Sequence, residues 1–534
     1  MSTPTWVSEV HDGSGEHGIS VIIAVSIWAR MVALDYVVVQ AGGKGTRLGK
    51  YTRNKPKALV PIGNVPMLFH LFRKFPKAKF VIIGDYKEDV LRSYLYAFKK
   101  KFGNDFIFVS ADGEKGTCSG ISKALSFLPE DARFMIAWCD LILDEELEIP
   151  DSDGNLIGLS DRFECRWSFK DGEAVEASSS SAGVAGLFVF KDKGMLSGVP
   201  KSGEFVRWLA GSGIPLEPFY IGDSREFGLI SRIPEIEGGK CRPFNCIEDR
   251  GDVLVKKGID EQGRKLAVRE VAWYRYVSRF DGVPVPKVYM YEPELHIEKI
   301  RGKNVYAYKF TPEERRETLR RLVSSLRRLH SCDGIPADAF SCKDAYFTKT
   351  IDRLADVRGL IPHADERYIV VNGKKCRNVY FHFKELERRL YDVKCNGFRL
   401  IHGDCTFSNI ILRDGKNPVF IDPRGYFGST EIFGDPAYDW AKLYYSLKGN
   451  YDMFNLRRFD LTIGEEVEMK IKSNGWEDME DEFFALLSED GVSADDIKLL
   501  HAIIWLSLTT YAWEDYDSIC GAFYNGIWYL EDVL

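Results

Sequence analysis

The chain has 534 residues and a formal net charge of −7, with 45% hydrophobic and 28% charged residues. That length exceeds one ordinary core and predicts two or three domains of a soluble globular protein. The negative balance argues against a nucleic-acid surface, so cationic sites should be local and directed at small ligands. The 11 cysteines form no C-x-x-C pair, which predicts neither a zinc site nor a disulfide framework and favours a cytoplasmic protein.

The first 34 residues form an extension before the first clear strand pattern. Their apolar run, residues 19–29, is shorter than a membrane span and ends at Arg30. No Lys or Arg precedes this run, which is wrong for a signal peptide. We therefore predict that residues 1–34 are disordered or dispensable, with Met31 as a natural start, and that the chain has no membrane span.

Short apolar strands alternate with helical stretches in the first half of the chain. Such alternation predicts an α/β domain with a Rossmann-like, mostly parallel sheet, helices on both faces, and ligands at the carboxyl ends of the strands. Gly238 and Gly239, with neighbouring charges, predict a linker at 237–243 and a domain at 35–236. The strands are expected at 37–40, 79–84, 106–110 and 133–138, and the helices at 67–75, 87–102 and 119–128.

The first strand runs directly into a glycine-rich loop. Gly42, Gly43 and Gly45 let backbone N–H groups approach a phosphate closely, because glycine has no Cβ. Arg47 and Lys57 add two cations beside the same loop, a combination suited to a triphosphate. A glycine turn with solvated charges explains the G-x-G pattern alone equally well. The longer pattern, G-G-x-G-T-R-L followed by P-K-x-L-x-P, is far more restrictive and resembles the signature of the sugar-phosphate nucleotidyltransferases, the nucleoside-diphosphate-sugar pyrophosphorylases.

The resemblance implies a fold like that of the GT-A nucleotidyltransferases and a role for several residues. Arg47 and Lys57 would be catalytic and stabilise charge on the leaving pyrophosphate, while Asp140, at the end of the fourth strand, would bind Mg²⁺. Taken alone, Asp140 also fits a helix cap. Glu226 best matches the second metal ligand of the family, and Asp223 is the alternative. The nucleotide would be bound by Ala41, Gly42, Gly43, Gly45, Thr46, Gly116 and Thr117, although the last two also fit an ordinary helix start.

The second half contains the pattern H-G-D-x-x-x-x-N-I, followed by a strand that ends in Asp422. Asp404 is placed to accept the proton of a substrate hydroxyl, whereas Asn409 and Asp422 can hold magnesium on phosphates. The pattern resembles the catalytic core of the choline-kinase and aminoglycoside-phosphotransferase group of protein-kinase-like enzymes. That resemblance implies a bilobal α+β domain over 244–534, with Asp404 as its catalytic residue and His402 as a structural residue of the loop.

The small lobe of this domain supplies the expected nucleotide contacts. Lys256 stands where the kinase group has its ATP-phosphate lysine, and Glu270 is its natural ion-pair partner. The strand alternation is ambiguous by one residue, so Lys257 is the alternative. The segment around Glu298 and Ile300 resembles the hinge that carries the adenine. The two lobes are expected at 244–303 and 304–534.

Two features of the second half bear on the alcohol that it would phosphorylate. Arg424, just after the magnesium-binding Asp422, either orients phosphate or substrate or pairs with a neighbouring acid. Aromatic residues are frequent near the end of the chain. Most of them are expected in the core, but aromatic side chains that line a binding pocket would also suit a choline-like cation.

Together the two resemblances predict a bifunctional transferase. The kinase-like half would phosphorylate a small alcohol, amino-alcohol or sugar with ATP, and the first half would couple that phosphate to a nucleotide from CTP, UTP or GTP, with Mg²⁺ in both halves. The product would be an activated precursor for capsule or other surface polysaccharide, or for lipid decoration. The E-K-P motif that binds the sugar phosphate in the family is absent, which keeps the acceptor open. The alternatives are a small-molecule kinase with a non-catalytic first domain and a pseudo-kinase scaffold; a homo-oligomer also stays open.

Overall fold

The computed structural model of the protein describes residues 34–111, 116–228, 245–259 and 261–534. The predicted extension up to residue 33 and the predicted linker at 237–243 lie outside the described residues. In the first half the strands are β1 (Tyr36–Gln40), β2 (Pro61–Ile62), β3 (Val65–Pro66), β4 (Lys79–Gly84), β5 (Phe106–Ser110), β6 (Phe134–Trp138), β7 (Leu141–Ile142), β8 (Leu156–Ser160), β9 (Ser168–Lys170), β10 (Glu173–Val175), β11 (Gly183–Phe190), β12 (Glu217–Tyr220) and β13 (Arg225–Glu226). The helices are α1 (Met67–Lys74), α2 (Glu88–Ala97), α3 (Lys99–Phe102), α4 (Cys118–Leu125) and α5 (Phe205–Ala210).

The central sheet of the first half has the strand order β10-β9-β11-β6-β1-β4-β5; β8 also pairs with β11, and β12 pairs with β8. Strands β6, β1, β4 and β5 run parallel, and β11 is antiparallel to β6. Val37, Val38 and Val39 of β1 are fully buried, as expected for a strand covered on both faces. The predicted parallel-rich α/β fold is confirmed. One predicted helix is divided, because Phe98 leaves helical dihedral angles between α2 and α3.

The second half contains more, and mostly shorter, elements. Its strands are β14 (Asn245–Asp249), β15 (Val253–Gly258), β16 (Val288–Met290), β17 (Leu295–Glu298), β18 (Gly302–Asn304), β19 (Gly334–Ile335), β20 (Tyr368–Val371), β21 (Lys374–Arg377), β22 (Phe398–Leu400), β23 (Ile410–Arg413), β24 (Asn417–Phe420), β25 (Tyr426–Phe427), β26 (Thr430–Glu431), β27 (Phe433–Gly434), β28 (Phe459–Ile463) and β29 (Val467–Ile471). Its helices are α6 (Glu261–Val277), α7 (Pro312–Ser331), α8 (Ala339–Lys343), α9 (Lys349–Val357), α10 (Phe383–Tyr391), α11 (Pro436–Leu447), α12 (Tyr451–Asn455), α13 (Glu480–Ser488), α14 (Ala494–Leu508) and α15 (Tyr516–Leu530).

A small lobe and a helical large lobe make up this half. The small lobe is a four-stranded antiparallel sheet, β14-β15-β17-β16, packed with α6. Helix α6 begins at Glu261 and ends at Val277, and a glycine inside it, Gly263, costs only about 1 kcal/mol. In the large lobe, α7 begins with a capping box between Thr311 and Glu314. Its leucine stripe is buried as the spacing predicts: Leu319, Leu322, Leu326 and Leu329.

The two halves contact each other through polar and aromatic side chains. Asn54 Nδ2, in the loop after the glycine segment, donates a hydrogen bond to the Leu461 carbonyl of β28 at 2.9 Å. Trp513, just before α15, packs its ring 5.9 Å from Phe69 of α1 and 6.3 Å from Phe98. Among the described residues, no helix combines the length and apolarity needed to cross a membrane.

Candidate active sites

The glycine loop lies at the carboxyl end of β1, the central strand of the first sheet. Gly45 has a φ of +61°, a left-handed conformation that favours glycine. A Cβ on Gly45 would lie 3.1 Å from the Cβ of Lys57, so glycine also permits the loop to approach the lysine. Among the other loop residues predicted to bind the nucleotide, Ala41 and Gly42 are buried, whereas Gly43 and Thr46 are exposed. The loop therefore presents exposed backbone close to Lys57.

Lys57 joins the two predicted metal ligands of the first site. Its Nζ donates to Asp140 Oδ2 and lies 4.0 Å from Glu226 Oε1. Asp140 follows β6, and Glu226 belongs to β13, which pairs with β7 directly after Asp140. Burial lowers the pKa of Lys57, but the charge and hydrogen bond of Asp140, together with Cys139 and Glu226, outweigh burial and raise that pKa. Lys57 is therefore charged and offsets one of the two neighbouring carboxylates.

The two acids fit the magnesium ion that the nucleotidyltransferase resemblance implies. Burial, followed by the negative charge of Asp140, raises the pKa of Glu226, so a second negative charge beside Lys57 needs further compensation. Mg²⁺ prefers oxygen ligands and commonly uses one or two carboxylates together with substrate phosphates. Asp140 and Glu226 are the residues that would hold it.

Two other predicted residues differ in their relation to this acid pair. Arg47 is exposed. Its guanidinium lies near Gly228, two residues after Glu226, since a Cβ built on Gly228 would be 3.3 Å from Arg47 Nη2. Asp223, the alternative metal ligand, is exposed and pairs with Arg162 at 2.9 Å. The structure thus brings Glu226 rather than Asp223 to the site of Lys57.

Gly116 and Thr117 lie at the start of α4, beside α5. Thr117 Oγ1 accepts a hydrogen bond from the Phe205 backbone N–H at 2.8 Å. The next N–H, that of Cys118, donates to the Gly203 carbonyl at 3.0 Å. These two hydrogen bonds connect Gly116 and Thr117, the segment predicted to bind the nucleotide, to the chain at the start of α5.

The loop that carries Lys57 is held by the other half of the chain, through a contact that no sequence motif indicated. Lys55 Nζ donates to Asp515 Oδ1 and, at 2.7 Å, to Asp517 Oδ2. The side chains of Lys55 and Asp515 are only 2% and 5% exposed. Burial lowers the pKa of Lys55, but the two carboxylates outweigh it and raise that pKa. A buried, charged contact therefore fixes the chain next to Pro56 and Lys57.

The catalytic-loop motif of the second half follows β22 and is anchored by α11. Asp439 accepts hydrogen bonds from the backbone N–H groups of His402 and Gly403 at 2.8 and 2.7 Å. His402 Nε2 lies 2.9 Å from the Ile421 carbonyl, and the Asp404 N–H donates to His402 Nδ1 at 3.2 Å. His402 is therefore used within the loop, as predicted.

Asn409 and Asp422 lie together at the β23–β24 hairpin. The Asn409 carbonyl accepts from the Ile421 N–H at 2.9 Å, and Asn409 Nδ2 donates to Asp404 Oδ2 at 2.9 Å. Asp422 has a φ of +56°, a conformation that is uncommon outside glycine and recurs at functional sites. Its carboxylate and the Asn409 amide offer the oxygen ligands that Mg²⁺ prefers, so these residues would hold the ion that the kinase resemblance implies.

Lys256 lies between two acids across the two lobes. Its Nζ is 2.7 Å from Glu270 Oε2 and 2.6 Å from Asp422 Oδ1. Burial lowers its pKa, but Asp422 and Glu270 outweigh burial and raise that pKa. Lys257 faces away and pairs with Glu294 at 3.0 Å. Of the two adjacent lysines, Lys256 is the one beside Asp422.

The predicted hinge residues lie in and just after β17. Glu298 accepts two hydrogen bonds from the Arg413 guanidinium, at 2.7 and 3.0 Å. Ile300 is buried directly after the strand. The Glu298 side chain thus links the small lobe to β23.

Lys442 is a residue of this site that sequence reasoning missed. Its Nζ lies 2.9 Å from Asp404 Oδ1, and the two side chains are 12% and 19% exposed. Burial lowers the pKa of Lys442, but the charge of Asp404 together with Tyr438 and Tyr451 outweighs burial and raises that pKa, so a charged lysine lies against the Asp404 carboxylate. A sequence signal does exist: Lys442 comes one helical turn after the loop anchor Asp439, so one face of α11 meets the loop twice.

Two protein-family models match the chain. Residues 37–147 match a model described as the MobA-like NTP transferase domain, and residues 244–465 match the phosphotransferase enzyme family. The first match includes Lys57 and Asp140, and the second includes Asp404. The chain thus joins a nucleotidyltransferase domain to a phosphotransferase domain, and both resemblances inferred from the motifs are confirmed.

Curated relatives are sugar nucleotidyltransferases. The bifunctional protein GlmU of Methanococcus vannielii is 28% identical over 127 residues, which cover 23% of this chain and 28% of that protein. The mannose-1-phosphate guanyltransferase of Candida albicans is 30% identical over 111 residues, which cover 20% of this chain and 31% of that protein. This chain therefore spans less than a third of the length of either relative.

Solved structures with a similar fold include the inositol-1-phosphate CTP transferase from T. maritima, with a TM-score of 0.31, 15% identity and coverage of 39% of this chain and 99% of that one. HddC from Yersinia pseudotuberculosis has a TM-score of 0.32, 21% identity and coverage of 37% and 95%. Similarities at this level carry no argument about substrates.

Proposed function

We propose that the chain is a bifunctional enzyme that phosphorylates a small alcohol or sugar and then joins the new phosphate to a nucleotide. The observation that carries this proposal is that one chain holds two separate lysine–carboxylate sites suited to phosphate chemistry, Lys57 with Asp140 and Lys256 with Asp422. Each lies in the segment that matches the corresponding family model. The working units would be the domains at 35–236 and 244–534, with the lobe boundary near residue 303.

In the kinase step the alcohol attacks the γ-phosphorus of ATP. The O–H bond of the alcohol breaks and its proton passes to Asp404, while an O–P bond forms and the bond to the bridging oxygen of ADP breaks. Lys442 supports this role, because it favours ionised Asp404. Lys256, held by Glu270, would bind ATP phosphate, with Glu298 and Ile300 near the adenine. Magnesium held by Asn409 and Asp422 would neutralise phosphate charge.

In the second step an oxygen of the new phosphate attacks the α-phosphorus of a nucleoside triphosphate. The bond to the bridging oxygen breaks, and pyrophosphate leaves. Lys57 and Arg47 would stabilise the charge that develops, and the exposed backbone of the glycine loop would bind the triphosphate. Asp140 and Glu226 would hold a magnesium ion, which would supply positive charge to the phosphates. No protein nucleophile is needed, because positioning and electrostatics supply the rate.

The substrate class follows from the relatives only in outline. Curated relatives are named for mannose-1-phosphate and related transfers, which supports a sugar or polyol phosphate as the acceptor of the second step. The nucleotide donor would be CTP, UTP or GTP. The product would serve as an activated precursor for a surface polysaccharide such as capsule, or for a lipid head group.

The test is pyrophosphate release from CTP, UTP, GTP, ATP and dTTP with Mg²⁺, each combined with a panel of phosphorylated sugars, polyols and amino-alcohols. Release with one pair supports the transferase and identifies, by removal of the phosphate, the alcohol expected in the kinase step. ADP formation with that alcohol would then complete the account. No release across the panel, with ADP still formed from ATP and an alcohol, would leave a kinase with a non-catalytic first domain.

A further inference from the structure

Four basic side chains form a cluster that begins at the catalytic aspartate and lies on α9, on α11 and in the segment after β24: Lys349, Arg353, Lys442 and Arg424. Lys442 contacts Asp404 directly, and its Nζ lies 5.8 Å from the centre of the Tyr438 ring. The Tyr438 hydroxyl accepts a hydrogen bond from Arg424 Nη1 at 2.7 Å. The cluster is therefore continuous with Asp404.

Tyrosine rings connect the remaining members. Arg424 Nη2 donates to the Tyr426 hydroxyl at 2.8 Å, and Lys349 Nζ lies 5.6 Å from the centre of the same ring. Arg353 packs 4.3 Å from the ring centre of Tyr511. Tyr511 is 48% exposed, so the cluster reaches from Asp404 to solvent.

Three of the four cations lack an acidic partner within the part of the chain that the structure describes. There, Arg424 donates to tyrosine hydroxyls and Arg353 to the Ser507 hydroxyl and carbonyl, while no carboxylate lies within 4.0 Å of Lys349. Burial, and then the charges of Arg424, Arg353 and Lys442, lower the pKa of Lys349 to about 5. Like charges held together away from water cost free energy, and a bound anion would remove that cost.

We infer that the alcohol phosphorylated by the kinase-like domain is an anion, whose carboxylate or phosphate group lies against Lys349, Arg353 and Arg424 while its hydroxyl faces Asp404. The inference rests on the proposed function, because it names the acceptor class of that site. Arginine suits this role, since its planar guanidinium matches carboxylate and phosphate oxygens. A choline-like cation, which the aromatic residues alone would accommodate, is disfavoured by the neighbouring positive charges of Arg353 and Arg424.

The phosphates of ATP are the other anions that this site would bind. Lys256 of the small lobe contacts Asp422 at 2.6 Å and so marks a phosphate position on that side. Lys442 meets Asp404 from the large lobe, on α11. The basic cluster therefore faces the acceptor rather than the nucleotide, and separate KM values for the two substrates distinguish these roles.

The test measures ADP formation by the full chain with ATP, Mg²⁺ and alcohols that differ mainly in charge. One series is glycerol, glycerate and glycerol 3-phosphate; another is glucose, glucuronate and glucose 1-phosphate; choline represents cations. We expect at least one acid or phosphate monoester to exceed its neutral partner about 100-fold in kcat/KM. Whether the acid or the phosphate ester is preferred distinguishes the two sources of negative charge.

Lys349→Met tests the contact itself. This variant should raise the KM for the preferred anion about 10-fold or more, whereas the KM for ATP should change far less. Lys343→Met is the matched control, because Lys343 is exposed at the end of α8 and pairs with Glu387 at 2.8 Å. It should behave like the parent. Thermal unfolding of both variants checks the fold, and Arg353→Met offers a second variant.

Equal use of neutral and anionic alcohols, with an unchanged KM in Lys349→Met, would overturn the inference and leave the kinase proposal intact. A rise in the KM for ATP alone would also overturn it, since the cluster would then serve the nucleotide. No ADP with any alcohol would instead contradict the kinase function, and the acceptor class with it.

Discussion

The two active-site regions share an arrangement of charge and differ in what surrounds it. Each has one largely buried lysine beside two carboxylates: Lys57 with Asp140 and Glu226, and Lys256 with Glu270 and Asp422. Beyond this arrangement the regions diverge. Near the first sheet, Arg162 and Arg166 are exposed and pair with acids, whereas Lys349 and Arg353 of the second region are paired with no acid among the described residues.

This difference separates two kinds of information. A lysine with two acids reports where phosphates and a divalent cation would lie, and it is similar in both regions because both reactions occur at phosphorus. The charged side chains outside that group indicate the charge of the acceptor, because only the acceptor differs in the sign of its charge between candidate substrates. The second region is therefore the more informative about substrate class.

The largest expected effect comes from breaking the contact between the two regions. Lys55→Met leaves Asp515 and Asp517 as buried carboxylates without their lysine, which should lower the free energy of unfolding by about 3–5 kcal/mol. Urea denaturation measures this change. Because Lys55 is separated from Lys57 only by Pro56, pyrophosphate release should fall more than ADP formation.

Lys50→Met is the matched control for this interface. Lys50 pairs with Asp460 across the same boundary, at 3.5 Å, but both side chains are well exposed. Its loss should change stability by at most about 1 kcal/mol. Equal effects of the two substitutions would contradict a structural role for the buried contact.

The next effect separates the two lysine sites. Lys57→Met removes a cation from the leaving pyrophosphate and should slow pyrophosphate release about 10²–10³-fold, whereas Lys256→Met should slow ADP formation by a similar factor. Each variant should leave the other reaction near the parent rate, as measured by separate product assays. Lys79→Met, at the exposed amino end of β4, is the control and should affect neither reaction. Loss of both reactions in either folded variant would contradict two independent sites.

The smallest expected effect is proton uptake on binding, which tests the difference in charge between the two regions. Binding of the preferred anion should raise the depressed pKa of Lys349, so binding takes up a proton, at most about one per molecule. The affinity should therefore fall as the pH rises above neutrality. Calorimetry in two buffers of different ionisation enthalpy measures the uptake. The groups facing Lys349 are Arg353, Arg424, Lys442, Asp344 and Tyr426, and Arg353 in turn faces Tyr438 and Tyr511.

Lys349→Met should abolish this proton uptake while the control Lys343→Met retains it. An uptake that persists in Lys349→Met would assign the proton to another group. No uptake in the parent would contradict a depressed pKa for Lys349 that the anion restores.

The sequence predicted those features whose signals are local. The glycine loop and the H-G-D motif each occupy a few consecutive residues, and the alternation around β1 is a neighbourhood pattern. Asp140 and Glu226 were found only through the family resemblance, because β13 reaches β7 through pairing that no periodicity encodes.

Contacts between segments far apart in the sequence could not be predicted from the sequence alone. Lys55 and Asp515 are separated by 460 positions, and nothing in either segment indicates the other. No motif in the sequence singled out Lys349 or Arg353. Only the packing of α9 against the segment after β24 reveals that they share a site with Arg424. Charge clusters assembled from several elements therefore need the structure.

The most direct test of the central claim is the Asp404→Asn variant of the full chain, assayed for both products. Asp404 alone is placed to accept the proton of the alcohol, so ADP formation should fall by at least about 100-fold. Pyrophosphate release from a supplied phosphorylated substrate should continue at the parent rate, because Lys57 and Asp140 are untouched. If both products fell together in a folded protein, the account of two separate reactions in one chain would be wrong.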